Sequence, residues 1–403
     1  MKKRYIVIGL LASSLMALGQ NADSTYRKQK ISRTDIQVMM SFYTQDNDHS
    51  AVTGGIGTEN LQVYASQVTI DHLADSTNAY HVDAGVDIIS SASTDNIDFI
   101  KSSASKLDAR THANAGYQRS FNKKGITAGL NSGVSIESDY TSFGGGLNFS
   151  KQNASHSRQV SANVQAFFDD LRWGLLHHGH PIKLIYPSEL RNTQWFDHYR
   201  RYSYNFEFGL FQVLNRRMTL GIYPGVAYQT GLLSTPFHRI YFSDKSERVE
   251  TLPDHRLKIP IGIQLNTFVG GRWIVRTNYR YYWDDFGTVA HALNLEGVLK
   301  LKPTLSLTAM MRLYAQTASD YFKSYRMHDT DEAFYTSDYD LSMFTSFKPG
   351  ISIRYAPYSG WKGMIYNTIE LHYSYYHRSD GLNAHMATVY LNVSYQRPDK
   401  LRK

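Results

Sequence analysis

Hydrophobic and polar residues alternate with a period of two along most of this chain, which predicts strands with one apolar and one polar face. From Trp273 to Trp283 one face reads Trp273, Val275, Thr277, Tyr279, Tyr281, Trp283, and the other reads Ile274, Arg276, Asn278, Arg280, Tyr282. About ten steps of ~3.3 Å, tilted by about 40°, climb roughly 25 Å, the height of an outer-membrane apolar band. Trp273 and Trp283 then mark two aromatic girdles. The same alternation runs through Leu257 to Leu265, Leu305 to Leu313, Val389 to Tyr395 and Ile126 to Ile136. Counting such runs predicts about 16 strands, with 14 to 18 as the range.

The connections alternate in length. Short turns fall at 75–78, 122–125, 215–217, 270–272 and 302–303, and long loops at 46–57, 92–107, 170–199, 231–254 and 318–339. Short turns on one side and longer loops on the other are the asymmetry of an outer-membrane barrel. A strand is predicted over 340–356 and a tight connection over 379–381. The predicted fold is therefore all-β, a transmembrane antiparallel meander barrel. A soluble sandwich with its apolar face turned inward would show the same period. Strand length, the Trp and Tyr at the ends of the apolar faces, and the Gly, Asn, Ser and Arg on the polar faces favour the membrane.

The N-terminus supports export. Lys2-Lys3-Arg4 precede an apolar stretch to Leu18, and Ala17-Leu18-Gly19 offers a small-residue cleavage site. The predicted organisation is a signal peptide over 1–19, a short periplasmic segment over 20–34, the barrel over 35–396 and a basic periplasmic tail over 397–403. Beyond the signal no apolar run is long enough for a spanning helix. Only a closed barrel can then satisfy the backbone in lipid.

Composition narrows the picture further. The 403 residues contain no cysteine, so a disulfide framework or thiolate metal site is excluded. Mean hydropathy is -0.40, unlike a bundle of membrane helices. The net charge of +8 is spread over turns and the tail, without the basic helix face of a nucleic-acid binder.

Two stretches carry a resemblance. Asp48-His49-Ser50-Ala51-Val52-Thr53-Gly54-Gly55-Ile56-Gly57-Thr58-Glu59 joins the first two predicted strands, and Asp83-Ala84-Gly85-Val86-Asp87 leads into Ser90 to Asp98. Together they resemble a bacterial outer-membrane barrel family catalogued as domain of unknown function 3570. In the first motif Ala51, Thr53, Gly54, Gly55, Gly57 and Glu59 carry the likeness. The resemblance implies an outer-membrane barrel and no established activity. It also implies contact with outer-membrane lipid and lipopolysaccharide and delivery by the barrel-assembly machinery. The basic tail after Arg397 offers a surface for a periplasmic partner.

Assigning polar faces strand by strand predicts a lumen with two walls. Asp83, Asp87, Glu137, Asp169 and Glu207 form an acidic wall; Arg256, Lys258, Arg276, Arg280, Lys300, Arg312, Lys348 and Arg354 form a basic one. Such a field would orient dipolar solutes and attract anions. Alternatively, the charges pair across a filled lumen. The expected role is a channel or transporter for small polar or charged solutes; the alternative is a non-conducting barrel that anchors a partner.

Other motifs carry less. His177, His178 and His180 could bind a metal, but without spaced carboxylates a solvated loop is the simpler reading, and no cofactor is expected. Asp46-Asn47-Asp48 reads as a turn. Gly54-Gly55-Ile56-Gly57 precedes a strand, so it lacks the helix of a phosphate cradle. Gly144-Gly145-Gly146 marks a bulge or a close approach. Neither Gly-x-Ser-x-Gly nor His-Glu-x-x-His occurs, and Asp197-His198 and Glu370 with His372 are the sole pairs that hint at a hydrolase. An enzyme is not expected.

Overall fold

The computed structural model describes residues 32–46, 59–94, 107–137, 140–171, 199–235, 239–361 and 363–396. These residues form strands β1 (Arg33–Asp46), β2 (Glu59–Leu73), β3 (Asn78–Thr94), β4 (Leu107–Phe121), β5 (Ile126–Glu137), β6 (Tyr140–Gln152), β7 (Arg158–Asp170), β8 (Arg200–Asn215), β9 (Met218–Gly231), β10 (Arg239–Tyr241), β11 (Glu247–Val249), β12 (His255–Val269), β13 (Trp273–Asp284), β14 (Val289–Lys302), β15 (Leu305–Gln316), β16 (Phe344–Tyr355), β17 (Ser359–Trp361), β18 (Met364–Arg378) and β19 (Asn383–Gln396). Among the described residues there is no α-helix.

Sixteen of these strands close into one antiparallel barrel. Each pairs with its sequence neighbours; β9 hands over directly to β12, and β1 closes the ring on β19 from Arg33↔Gln396 to Asp46↔Asn383. The small β10–β11 hairpin stands outside the barrel sheet, and β17 adds only to the turn-side end of β18. Bulges occur at Asn60/Leu61, Val213/Asn215, Lys300/Lys302 and Tyr366/Thr368, all close to strand ends. They let the staves end without disturbing register at mid-height.

The direction of the apolar face separates the barrel from the soluble sandwich. Tyr204, Phe206 and Phe208 on β8 and Ile351, Ile353 and Tyr355 on β16 are all exposed. The same holds for Val82, Val86 and Ile88 on β3, Leu147 and Phe149 on β6, and Trp273 on β13. Among the described residues no second sheet packs on this face, and the buried apolar clusters involve loop or strand-end residues. So broad an apolar surface is covered by lipid hydrocarbon rather than by protein. The opposite parity faces the lumen and carries Asn, Gln, Ser and charged groups.

Two long loops meet at one end of the barrel. Phe242 bridges to His328 and Thr251 to Tyr335, tying the 232–254 loop to the 317–343 loop. Ile240, Phe242 and Tyr335 are buried together at the junction. Glu250 accepts from Thr336 Oγ1 at 2.6 Å and from the Thr235 backbone at 2.5 Å. His328 is fully buried; its Nε2 meets the Thr336 carbonyl at 2.9 Å, so that nitrogen donates, and its Nδ1 lies 2.6 Å from Glu332.

This clasp has a defined acid limit. Burial is the largest influence on Glu332 and raises its carboxyl, but hydrogen bonds from the Asp329 N–H, His328 and Lys323 outweigh it and bring it down to about 2. A depressed carboxyl contributes stability that is complete above its usual value of 4.5 and is lost as the pH falls toward about 2. Hydrogen-exchange protection of the 317–343 loop should therefore persist at pH 5 and fall away between the two values. Loss of protection already at pH 5 would show that Glu332 is not the titrating latch.

The predicted strand over 340–356 starts later than expected, at Phe344. Asp338 caps a short 3-10 turn over Tyr339–Leu341, its carboxylate accepting from the Asp340 N–H at 2.9 Å. The local Asx bond wins over the ladder there. The triple glycine at 144–146 pairs in regular register without a bulge, and the ring of Phe167 occupies the space a Cβ on Gly144 would need, 2.5 Å from its ideal position.

Candidate functional site

The lumen-facing charges cluster on consecutive staves. In β12 to β16 the inward parity carries Arg256, Lys258, Arg276, Arg280, Lys300, Arg312, Lys348 and Arg354, opposite in face to exposed Ile263, Val275, Leu295, Met311 and Ile351. Several have partners. Arg256 binds Asp284, with its guanidinium 4.5 Å over the Phe286 ring. Arg276 meets Glu296 at 3.1 Å on the neighbouring strand. Arg354 donates to Thr368 at 3.1 Å, and Lys300 lies 5.7 Å over the Phe268 ring. Lys258 is also engaged.

Three cations differ from these. Arg312 and Lys348 stand directly opposite one another across β15 and β16. Neither has a carboxylate within ion-pair distance among the described residues; Arg312 lies 5.7 Å over the Tyr314 ring. Arg280, on β13, lies within electrostatic reach of Glu207 on β8 but makes no ion pair. The staves between them are thinned by Gly225 and Gly262, and the Tyr223 ring crosses Gly209 and Gly221. Small residues leave room over the sheet for Glu207, Tyr223 and Arg280 to share one stretch of wall.

The acidic residues on the other staves are engaged by partners of their own. Asp83 is buried and bonds Asn114 at 2.9 Å and His81 at 3.2 Å; His81 in turn meets Asp71 at 2.7 Å. Asp87 faces Arg110 at 3.6 Å. Asp169 accepts from Ser142 at 2.7 Å and from Arg201 at 2.8 Å. Glu137, at the end of β5, is engaged as well. Arg110, Arg201 and His81 were absent from the wall assigned from sequence. They share lumen parity with the carboxylates they bind, and that parity is legible in the sequence.

The hint of hydrolase chemistry takes a definite geometry. Glu370 accepts from Ser352 Oγ at 2.6 Å, and His372 Nε2 meets the same carboxylate oxygen at 3.1 Å. The carboxylate lies between hydroxyl and imidazole, so the imidazole is not hydrogen-bonded to the serine as a general base must be. Among the described residues no group of three His, Asp or Glu is placed to hold a metal ion. His177, His178 and His180 lie outside the described residues, as do Asn47, Asp48, Asp197, His198 and the family-like positions Ala51, Thr53, Gly54, Gly55 and Gly57; Glu59 opens β2. Trp273 is exposed at the turn end of β13 and Trp283 is half-buried near its loop end.

A protein-family profile described as "Protein of unknown function (DUF3570)" matches residues 9–393. No curated protein matches the chain. Among solved structures, OccK1 (OpdK) of Pseudomonas aeruginosa is similar at 9% identity and a TM-score of 0.41, covering 91% of this chain and 98% of that one. A BenF-like porin from Pseudomonas fluorescens Pf-5 is similar at 9% identity and a TM-score of 0.41, over 90% and 98%. A deltaS2 mutant of the TodX monoaromatic hydrocarbon channel is similar at 11% identity and a TM-score of 0.40, over 92% and 90%.

Proposed function

We propose that this chain, which belongs to the family of unknown function DUF3570, is an outer-membrane channel for small polar solutes with a preference for anions, a reading that rests on the barrel's charge pattern. The observation that carries this reading is the Arg312–Lys348 pair with Arg280 nearby. Like charges directly opposite on neighbouring strands oppose folding. Here they face the lumen, and no carboxylate pairs with them among the described residues. A cost without structural return is expected at functional positions. A barrel of about 16 strands encloses a water-filled lumen unless loops plug it, and cations on its wall raise the local concentration of anions. The signal-like N-terminus supplies export, and the external apolar band supplies the place in the bilayer.

The experiment is single-channel conductance of the refolded full chain in a planar bilayer, with a salt gradient to read selectivity. Stable steps with anion preference are expected. Verified insertion without conductance would overturn the channel reading in favour of a scaffold for a periplasmic or surface partner.

A further inference from the structure

Two hairpins of the barrel share a partial sequence repeat. Residues 279–291 at the β13–β14 turn align without a gap on residues 373–385 at the β18–β19 turn. The pairs Tyr279/Tyr373, Tyr281/Tyr375, Tyr282/Tyr376, Gly287/Gly381, Ala290/Ala384 and His291/His385 are identical. Gly287 and Gly381, at φ +83° and +102°, shape both turns. His291 stands opposite Tyr281, and His385 opposite Tyr375. Each imidazole Nδ1 shares a hydrogen bond with the phenol two residues earlier on the facing strand, Tyr279 at 2.7 Å and Tyr373 at 2.8 Å. The two imidazoles and the tyrosines that pair with them (Tyr279, Tyr281, Tyr373 and Tyr375) lie on the outer face, toward the loop end of the staves.

Between the two hairpins the outer face carries an open groove. A groove of about 400 Å³ is lined by Tyr279, His291, Leu293, Leu313 and Phe347. Phe347 leans on the second hairpin, 5.2 Å from the His377 ring and 6.3 Å from that of Tyr375. Toward the turn end the groove runs on into exposed Leu295, Met311 and Ile351, the membrane-facing band itself. Its polar atoms are concentrated at the loop end, where Tyr279 and His291 sit. The phenol occupies Nδ1 of His291, and Nε2 of this exposed ring has no partner among the described residues.

We propose that this groove binds a membrane lipid with a phosphorylated headgroup, an acyl chain lying along Leu293, Leu313 and Phe347 and the phosphate meeting His291. The groove is continuous with a surface that hydrocarbon already covers, so its floor calls for a chain of the same chemistry. The imidazole stands opposite Tyr281, two residues from the loop-end Trp283, on the headgroup side of the groove, and with Nδ1 accepting from the phenol its Nε2–H is left to donate to a phosphate oxygen. A free phosphate would use one imidazole and leave the apolar floor unmatched, which selects the lipid over the bare anion. The site is independent of the lumen and of any solute carried there.

The test uses the refolded full chain in detergent micelles and native mass spectrometry, with diphosphorylated lipid A and its dephosphorylated form as probes. Wild-type protein should retain the phosphorylated probe roughly tenfold better than His291→Ala does, since a hydrogen bond to a charged group is lost. The dephosphorylated probe should not distinguish them. Leu313→Trp, which fills the groove and keeps the imidazole, should weaken both probes and serves if His291→Ala does not fold. Tyr204→Ala, a surface change on β8, is the control and should alter neither. Equal retention by wild type and both groove variants would overturn the proposal, as would displacement of lipid A by inorganic phosphate alone.

Discussion

Replacing Arg312 and Lys348 together by glutamine is expected to lower the ratio of anion to cation permeability several-fold while leaving the barrel folded. A unit charge at ~4 Å acts with about 1 kcal/mol even in bulk water, a factor of about five in local ion concentration. Two charges without ion-pair partners on facing staves should act together on any ion passing them. Folding should not suffer, because the substitution removes a cross-strand repulsion rather than an attraction. The reversal potential in a potassium chloride gradient is the readout.

The matched control is Arg276→Gln with Glu296→Gln. These two form an ion pair at 3.1 Å, so the double change removes an equal number of charges and no net charge. It should move the reversal potential little. If the Arg312 and Lys348 variant conducts with unchanged selectivity, the basic wall does not set ion preference. Adding Arg280→Gln should extend the shift further in the same direction, because the Glu207 carboxylate on that stretch of wall is then left without its neighbouring cation.

The architecture was legible because one signal dominates it. Period-two alternation sets each strand, a one-residue slip would turn every side chain to the wrong face, and the short turns fix the pairing of neighbours. The exception at 340–343 was a local one: the Asp338 side chain captures a backbone N–H there, and alternation does not report on such bonds. Closure of β1 on β19 follows from a meander with every edge paired. The union of the 232–254 and 317–343 loops does not, because Phe242 and His328 meet only once the staves carry them to one rim.

The charges were less legible than the strands. Grouping them by half of the chain separated acids from bases and passed over Arg110 and Arg201, which sit beside Asp87 and Asp169 on adjacent staves. Which cations lack a counter-ion depends on register, and register gave Arg312 the neighbour Lys348 and gave Arg276 the neighbour Glu296. The hairpin repeat is a different case. It stands in the sequence without a gap, but it emerges only when turns are compared with turns rather than faces with faces.

Replacing Asp284 by alanine is expected to be the most destabilising single change among the lumen residues considered. Its carboxylate is fully buried at the loop end of β13. It accepts from Arg256 Nε at 3.0 Å and from a second nitrogen of the same guanidinium, from Tyr282 Oη at 2.6 Å, and from the backbone N–H groups of Phe286 and Thr288 at 3.0 Å each. Alanine would leave a cation, a phenol and two backbone donors without an acceptor in one place. Breaking a buried pair from one side costs roughly 3–5 kcal/mol, because the surviving charge is stranded. Asp284→Asn should cost less, since one amide oxygen can still cap the turn. Arg256→Ala combined with Asp284→Ala should recover part of the loss by removing the stranded cation, a coupling that lost packing alone would not produce. Urea unfolding of the protein in lipid vesicles, followed by the fluorescence of neighbouring Trp283, measures all three. A loss below about 1 kcal/mol for Asp284→Ala would show that water or a rearranged side chain replaces the carboxylate, and that the β13–β14 turn is held by its ladder rather than by this one residue.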